Sequence, residues 1–359
     1  MKVLVALSGG VDSSVAAALL LDAGHEVVGV TMRLWGGESD TGCCSVSDVE
    51  DARRSAAQLG VDHHVFNFAD EFDRHVVAPY VADHLEGRTP NPCVECNRHL
   101  KFDVLLRRAE LLGFDAVATG HHARVVEQPD GTHRIGRGVD AAKDQSYVLY
   151  PLTAAELGRV LLPIGEMTKD EVRRRAATLG LRTAQKPDSQ DVCFITRSEG
   201  RESFLAARAE LHEGRVVDAS GAQVGRVDAV ELVTIGQRRG LELAGGSGRR
   251  FVTGVDVTER TVTVGGARDL LDTHLVLRDV VWADGPVEGA VTVQCSAHGR
   301  PAVATVSGSG SDPTSSGPRV DWSEPQRRVA PGQSVVLYQQ VLTADRGVDT
   351  VVVGGGIAA

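Results

Sequence analysis

The first fifteen residues constrain the fold more than any other stretch of the chain. An apolar run, VLVAL at positions 3–7, enters the small polar turn SGGVDSS at positions 8–14, and a run rich in alanine and leucine follows. Glycines let a backbone approach an anion closely, and the free N–H groups at a helix start supply donors to that anion. The stretch therefore predicts a strand, a phosphate-binding turn and a helix.

This turn lacks the Gly-Lys-Ser/Thr ending of the usual phosphate-binding loop. Asp12 would repel a bound phosphate unless it holds a divalent cation or caps the turn, so the sequence implies Mg²⁺. Two glycines alone leave open the alternative of a plain strand-to-helix connection.

The next hundred residues alternate between strand-like and helix-like patterns. Strands are predicted at 25–33, 61–68 and 114–119, and helices at 48–59, 70–84 and 98–112. This alternation favours an α/β fold with a parallel sheet covered on both faces. Ligands of such sheets bind beyond the carboxyl ends of the strands. The residues expected near those ends are Ser8, Met32, Cys96 and Gly120.

The second half of the chain changes character. A helical stretch is predicted through Leu162 and a helix over 169–179, and beyond Arg201 short valine-rich runs predict small sheets or a barrel. We expect three domains, at 1–200, 201–272 and 273–359. The low-complexity segment 307–318 is expected to be a disordered hairpin tip.

A net charge of −10 argues against binding nucleic acid by overall electrostatics. Any RNA contact must then be local, and the candidate basic patches are 97–101, 107–108, 173–175 and 238–239. No run approaches the length of a membrane span and no leader precedes the first strand, so we expect a cytoplasmic protein that binds neither membrane nor DNA.

Six cysteines are too few and too unevenly spaced for a disulfide framework in 359 residues. Cys93 and Cys96 form a Cys-x-x-Cys pair, and Cys193 lies in a distant polar loop. We expect a lowered pKa for Cys96, close to a helix start and to Arg98 and Lys101, because such surroundings favour the thiolate. Redox chemistry, sulfur chemistry and metal binding fit this pattern, and half of a zinc site or inert buried thiols are the alternatives.

Beyond these patterns, the chain resembles known enzymes. SGGVDSS after an N-terminal strand is similar to the pyrophosphate-binding loop of ATP pyrophosphatases. Further motifs occur in the order seen in tRNA-specific 2-thiouridylases, over nearly the whole chain: GRTPNPCVECN with KF (87–97, 101–102), GHHAR (120–124), KDQSY (143–147), DSQDVCFI (188–195), TIGQRRGL (234–241) and PGQSVVLY (331–338). The resemblance implies an adenine nucleotide alpha-hydrolase-like domain, a small central domain and a C-terminal β-barrel.

The resemblance also implies the activity. ATP would adenylate the C2 oxygen of the wobble uridine of tRNA with release of pyrophosphate, and persulfide sulfur would then displace AMP. Cys193 would receive the sulfur as a persulfide from a cysteine desulfurase or relay protein, and Cys96 would close a disulfide with it afterwards. The residues implied to contact ATP are Ala6, Leu7, Ser8, Gly9, Gly10, Val11, Asp12, Ser13, Met32 and Gly120. Those implied to contact the tRNA are Asn91, Pro92 and Cys93 at the target base, and His121, Lys143, Asp144, Gln145 and Gln333 elsewhere.

The chain departs from the family pattern at two places. Cys93 stands where some members have an acid, so an iron–sulfur cluster held by Cys93, Cys96 and Cys193 is an alternative to the persulfide route. Ser296 and Ala297 stand where some members present an Arg-Tyr pair to RNA, and His298 or Arg300 could substitute.

Two other functions are alternatives. One is an ATP pyrophosphatase that acts on a small molecule, which would need neither the cysteine pair nor an RNA-facing β domain. The other is a non-catalytic RNA-binding module that senses ATP, and the presence of Asp12, Cys96 and Cys193 argues against it.

Overall fold

The structure is a computed structural model that describes residues 1–34, 46–188, 192–195, 200–243, 249–308, 317–344 and 347–359. Most of the predicted hairpin tip at 307–318 lies outside the described residues, as do Cys43 and Cys44.

A five-stranded parallel sheet organises the first half of the chain. The strands of this half are β1 (Lys2–Ala6), β2 (Glu26–Arg33), β3 (His63–Asn67), β4 (Ala116–Ala118), β5 (Ala123–Glu127), β6 (His133–Arg137) and β7 (Val160–Leu161), and the sheet order is β3-β2-β1-β4-β7. β1 is central, with Val3 level with Val27 on one side and Ala116 on the other. Its apolar run is buried, as expected for a parallel strand covered on both faces. The predicted α/β fold is confirmed.

Helices cover this sheet and continue beyond it. They are α1 (Val11–Asp22), α2 (Val46–Leu59), α3 (Ala69–Phe72), α4 (Ala78–Leu85), α5 (Pro92–Glu95), α6 (Leu105–Leu111), α7 (Ala154–Leu157), α8 (Lys169–Thr178) and α9 (Gly200–Ala206). Wider π-helical turns join α3 to α4 (Asp73–Val77) and α5 to α6 (Cys96–Val104). Four 3₁₀ segments are described at Ser146–Leu149, Arg182–Gln185, Val230–Leu232 and Ala267–Leu270.

Two helix predictions differ from the structure. The predicted helix at 98–112 begins earlier, at Pro92, because Asn91 caps it by accepting a hydrogen bond from the N–H of Cys93. The predicted helical stretch through Leu162 is wrong, because it contains only a 3₁₀ turn, the short helix α7 and strand β7. Pro151 follows that 3₁₀ turn closely, and a proline disfavours helix in the residue before it.

The second half forms a small sheet and a barrel. Strands β8 (Gly214–Val217), β9 (Gln223–Val227), β10 (Phe251–Asp256) and β11 (Thr261–Gly265) pair in the order β10-β11-β8-β9. Strands β12 (Leu271–Trp282), β13 (Gly289–Gln294), β14 (Ala302–Ser307), β15 (Arg319–Arg327), β16 (Ser334–Thr343) and β17 (Gly347–Ala358) form an antiparallel sheet that a β12–β17 pairing closes. The predicted C-terminal β-barrel is confirmed.

A hairpin from the first half joins the barrel sheet. β5 and β6 extend it beyond β17, where Gly136 lies level with Val351, and the guanidinium of Arg124 donates to Asp349 at 2.7 Å. The largest apolar cluster accordingly runs from the parallel sheet through Tyr147 to Tyr338 of the barrel. The parallel sheet and the barrel therefore share one core. Within the described residues, no helix combines the length and apolar character needed to span a membrane.

His84 gives the fold a pH dependence that can be measured. Its buried ring lies 4.6 Å from that of Tyr80 and contacts the backbone of Glu231, and burial followed by the charge of Arg201 lowers its pKa to about 4. In the unfolded chain His84 has a pKa of about 6.5, so below that pH the unfolded chain binds a proton that the folded chain does not bind. The free energy of unfolding therefore falls as the pH drops from 6.5 towards 4.

We expect His84→Gln to reduce this pH-dependent loss of unfolding free energy by an amount on the order of 3 kcal/mol. Urea unfolding at pH 7.5 and pH 4.5 measures it, with the exposed His298→Gln as the control variant. A wild-type difference between the two pH values that His84→Gln leaves unchanged would contradict the assignment.

Candidate active site

The predicted turn lies between β1 and α1 and is held by its own hydroxyls. The N–H of Ser8 donates to the Oγ of Ser13 at 3.2 Å, and the Oγ of Ser14 donates to the carbonyl of Gly10 at 2.9 Å. Gly9 has a φ of +72°, and a Cβ there would lie 2.3 Å from the carbonyl oxygen of Asp48. Only glycine fits, because any side chain would meet both the strained φ and the backbone of α2.

The other segments predicted to contact ATP converge on this turn. Gly120, just beyond β4, packs so closely that a Cβ there would lie 2.5 Å from the nitrogen of Ser13. Met32 lies at the carboxyl end of β2. Ala6, Leu7, Val11 and Ser13 are buried, whereas Ser8 is exposed. The predicted ATP contacts remain predictions, and the segments that carry them share one edge of the sheet.

Asp12 has a cationic partner within the chain. The Nζ of Lys169 lies 2.8 and 2.7 Å from its two carboxylate oxygens, and the Nε2 of His122 lies 3.3 Å from Oδ1. Burial alone would raise the pKa of Asp12, but the hydrogen bonds to His122 and Lys169 outweigh it and hold the pKa below its usual value. Asp12 is therefore an anion at neutral pH, and Lys169 compensates its charge.

Asp12 is the residue of this turn whose carboxylate could hold the implied Mg²⁺. Nowhere in the described ranges do three or more His, Cys, Asp or Glu side chains group to hold a metal ion. Mg²⁺ is commonly bound by one or two carboxylates together with substrate phosphates, so a partly exposed Asp12 in the predicted phosphate-binding turn fits it. Mg²⁺ remains a prediction.

Two lysines far along the chain supply positive charge to this turn. Lys169 pairs with Asp12, and the Nζ of Lys186 donates to the carbonyl of Gly9 at 3.0 Å and to Asp48 and Asp51 at 2.7 Å each. Sequence reasoning missed both. A usable signal was the position of Lys169 at the first residue of α8, because a cation at a helix N-terminus opposes the helix dipole.

Asp188 gathers three cations. Its carboxylate accepts from Lys143 at 2.7 Å and from Lys169 and Arg173 at 2.8 Å each. Burial tends to raise its pKa, but the hydrogen bonds from Lys143 and Lys169 dominate and lower the pKa to about 2. Ion pairs thus connect Asp12 through Lys169 to Asp188, five residues before Cys193.

The two cysteines predicted to handle sulfur, Cys96 and Cys193, both contact the largest apolar cluster. Cys96 is 8% exposed and belongs to the large apolar cluster, and Cys193 is partly buried against the same cluster. The ring of Phe194, next to Cys193, packs against Phe72 at 5.5 Å. Cys93 is exposed and lies in the first turn of its helix, so it occupies the helix-start position expected for Cys96.

The iron–sulfur alternative does not fit this arrangement. Cys93, Cys96 and Cys193 are all described, and they do not form a group placed to bind a metal ion.

The loop before the cysteine pair receives contacts from both β domains. The N–H of Thr89 donates to the carbonyl of Pro331 at 2.7 Å, and its hydroxyl lies 3.3 Å from that of Thr234. A Cβ on Gly332 would lie 2.8 Å from the nitrogen of Thr89. Gln333 therefore lies in a turn that packs against the loop carrying Asn91 and the buried Pro92.

Three residues predicted to contact tRNA have structural partners. The carboxylate of Asp144, 7% exposed, accepts from Arg137 and Ser146 at 2.8 Å each. The side-chain oxygen of Gln145 accepts from the N–H of His122 at 2.8 Å. His121 is 7% exposed, and burial, followed by the charges of Lys101 and His122, holds its pKa well below the usual value. RNA contacts at these positions remain predictions. The burial of Asp144 and His121 and the hydrogen bond of Gln145 to the backbone of His122 favour a supporting role.

The position of the missing Arg-Tyr pair is tied to this region. Ser296 and Ala297 are exposed, and their carbonyls accept hydrogen bonds from Gln294 at 2.9 and 3.1 Å. Gln294 in turn accepts from Arg137, the partner of Asp144, at 2.9 Å. The turn at 296–297 is thereby connected to the segment that carries Lys143.

Comparison with known proteins gives matches along the chain. Family models described as tRNA methyl transferase HUP domain, tRNA methyl transferase PRC-barrel domain and Aminomethyltransferase beta-barrel domain match residues 1–197, 202–266 and 272–358. A "tRNA-specific 2-thiouridylase MnmA" of Chloroflexus aurantiacus is 46% identical over 95% of this chain and 96% of its own length. One of Carboxydothermus hydrogenoformans is 44% identical over 94% of each chain.

Proposed function

Because the chain belongs to the family of tRNA-specific 2-thiouridylases, we propose that it replaces the C2 oxygen of the wobble uridine of tRNA by sulfur at the expense of ATP. The observation that carries this proposal is the chain of ion pairs from Asp12 through Lys169 to Asp188, which links a phosphate-binding turn to the segment bearing Cys193. Such a reaction requires that the nucleotide and the cysteine that carries sulfur lie at the same edge of the sheet.

The first half-reaction is adenylation. The turn at 8–14 binds the ATP phosphates through N–H groups and hydroxyls, and Lys169 and Lys186 neutralise charge as pyrophosphate leaves. The uridine C2 oxygen attacks the α-phosphorus and the bond to pyrophosphate breaks, which makes C2 a target for a nucleophile. Mg²⁺, when bound at Asp12 and the phosphates, would supply further positive charge.

The second half-reaction transfers sulfur. The terminal sulfur of a Cys193 persulfide attacks C2 and AMP leaves with the former C2 oxygen. The Cys96 thiolate then attacks the Sγ of Cys193, the original S–S bond breaks, and its electron pair stays on the sulfur now bound to C2. The resulting disulfide between Cys96 and Cys193 needs two electrons from a cellular thiol reductant before the next cycle.

The partners follow from this chemistry. The uridine must leave the anticodon loop to reach a cleft at the sheet edge, and the loop contacted by Pro331 and Thr234 lets both β domains share in holding the tRNA. A persulfide donor, a cysteine desulfurase or a relay protein, charges Cys193. The cytoplasm is the proposed location because both substrates occur there.

Pyrophosphate release tests this function against its small-molecule rival. We expect release from ATP to depend on a tRNA with uridine at the wobble position, and the same tRNA with cytidine there to be inactive. Equal release without RNA would favour a small-molecule substrate.

Lys143 should contribute a phosphate contact. Its side chain is 39% exposed, and its ammonium is paired with Asp188 in the RNA-free chain. We expect Lys143→Ala to weaken the binding of all tRNAs by the same factor. It should also reduce the slope of the logarithm of the binding constant against the logarithm of the salt concentration by about one. Filter binding at several salt concentrations measures this, with Lys2→Ala, at the opposite end of β1, as the control. An unchanged slope would remove Lys143 from the RNA interface.

A further inference from the structure

Residues Lys186–Asp188, here termed the KPD segment, contact two sides of the turn at residues 8–14, here termed the nucleotide turn. Lys186 reaches the carbonyl of Gly9 and the carboxylates of Asp48 and Asp51 on α2. Asp188 reaches Lys169, which itself holds Asp12. The segment therefore bridges α2 on one side and α8 on the other.

The attachment uses the cations that a nucleotide would attract. Lys169 and Lys186 lie at the phosphate turn, and their present partners are carboxylates of the chain. Phosphate oxygens entering the turn would compete with Asp188 for Lys169 and with Asp48 and Asp51 for Lys186, since all are anions seeking the same donors. Nucleotide binding and attachment of the KPD segment thus share the ammonium groups of Lys169 and Lys186, while Lys143 and Arg173 also hold Asp188.

The attachment also limits the position of Cys193. Cys193 lies five positions after Asp188, and a chain of that length spans at most about 17 Å. Anchoring Asp188 therefore restricts where the thiol can lie relative to the nucleotide.

We propose that Lys186 and Asp188 are positioning residues that place Cys193 relative to the nucleotide turn, and that a bound nucleoside triphosphate loosens this attachment by drawing Lys169 and Lys186 to its phosphates. The proposal deepens the function proposed above and rests on it for the role of Cys193. It makes the reactivity of this thiol depend on whether the turn is occupied.

Alkylation of wild-type protein is the first test. Iodoacetamide labelling of Cys193, followed by peptide mass spectrometry, should be faster by about fivefold or more with a non-hydrolysable ATP analogue and Mg²⁺ than without them. A rate unchanged or slowed by the analogue would overturn the proposal. This measurement uses neither tRNA nor a sulfur donor, so it is independent of the proposed function. If the nucleotide changes the alkylation rate but the protein does not thiolate tRNA, the proposed function is refuted and the proposed attachment of the KPD segment is still supported.

The second test changes Asp188 alone. In Asp188→Asn, Cys193 should be alkylated rapidly without nucleotide, and the analogue should change that rate less than about twofold. Pyrophosphate release should stay within about threefold of wild type, while 2-thiouridine formed per pyrophosphate falls by about tenfold. Asp188→Glu should restore part of this ratio.

Asp170→Asn, an exposed acid one residue beyond Lys169, is the matched control and should behave as wild type. A wild-type product ratio and a wild-type nucleotide response in Asp188→Asn would overturn the proposal. If that variant does not fold, the wild-type alkylation comparison decides alone.

Discussion

Replacing either Cys96 or Cys193 by serine should lower tRNA thiolation by roughly a thousandfold or more while ATP affinity stays within about threefold of wild type. Serine keeps the size of the side chain but cannot carry a persulfide or close a disulfide at these positions. The proposed phosphate turn is formed by Ser8–Ser14 and is held by hydrogen bonds among its own hydroxyls and backbone groups. Liquid chromatography of tRNA nucleosides and equilibrium binding of ATP give the two readouts.

Two further cysteines serve as controls. Cys295→Ala in the barrel should leave thiolation unchanged, because burial raises the pKa of this thiol to about 12 and it is protonated at neutral pH. Cys93→Ala should keep substantial turnover in the persulfide route, whereas a cluster route would make it as inactive as Cys96→Ala. Normal thiolation by Cys96→Ser or Cys193→Ser would refute the assignment of these residues.

Gly9→Ala should lower ATP-dependent pyrophosphate release by about a hundredfold. The new Cβ would lie 2.3 Å from the carbonyl oxygen of Asp48, in a backbone conformation with φ +72°, so the turn or α2 must shift. Displacing the turn misplaces the donors that hold the phosphates.

Gly24→Ala is the matched control for this variant. Gly24 has a similar φ of +78°, but nothing lies within 4 Å of its ideal Cβ. We expect it to cost about 1 kcal/mol of folding stability with normal pyrophosphate release. Equal pyrophosphate release by Gly9→Ala and wild type would show that the turn does not bind the reacting phosphates.

The sequence predicted what short-range physics determines. The strand, turn and helix around Gly9 follow from a buried apolar run, residues that tolerate positive φ and an alanine-rich helix. The alternation of strands and helices likewise followed from patterns within single elements. These features need no knowledge of distant residues.

Features that depend on distant partners were missed. The hairpin β5-β6 pairs with β17, more than two hundred residues later in the chain. The sequence of the hairpin itself does not predict which strand it pairs with. Lys169 and Lys186 reach the nucleotide turn across 157 and 177 residues. The burial of Asp144 and His121 likewise depends on long-range packing, because a motif gives the order of residues but not which of them face the solvent.

The most direct test of the proposed function is mass analysis of tRNA nucleosides after incubation of the purified protein with ATP, Mg²⁺, a persulfide donor and tRNA carrying a wobble uridine. We expect 2-thiouridine at the wobble position, with one AMP and one pyrophosphate formed for each sulfur transferred. The proposed function also predicts no product when ATP is left out or when Cys193→Ser replaces the wild type. Unmodified uridine despite ATP consumption in the complete reaction, or thiolation that proceeds without ATP, would contradict it.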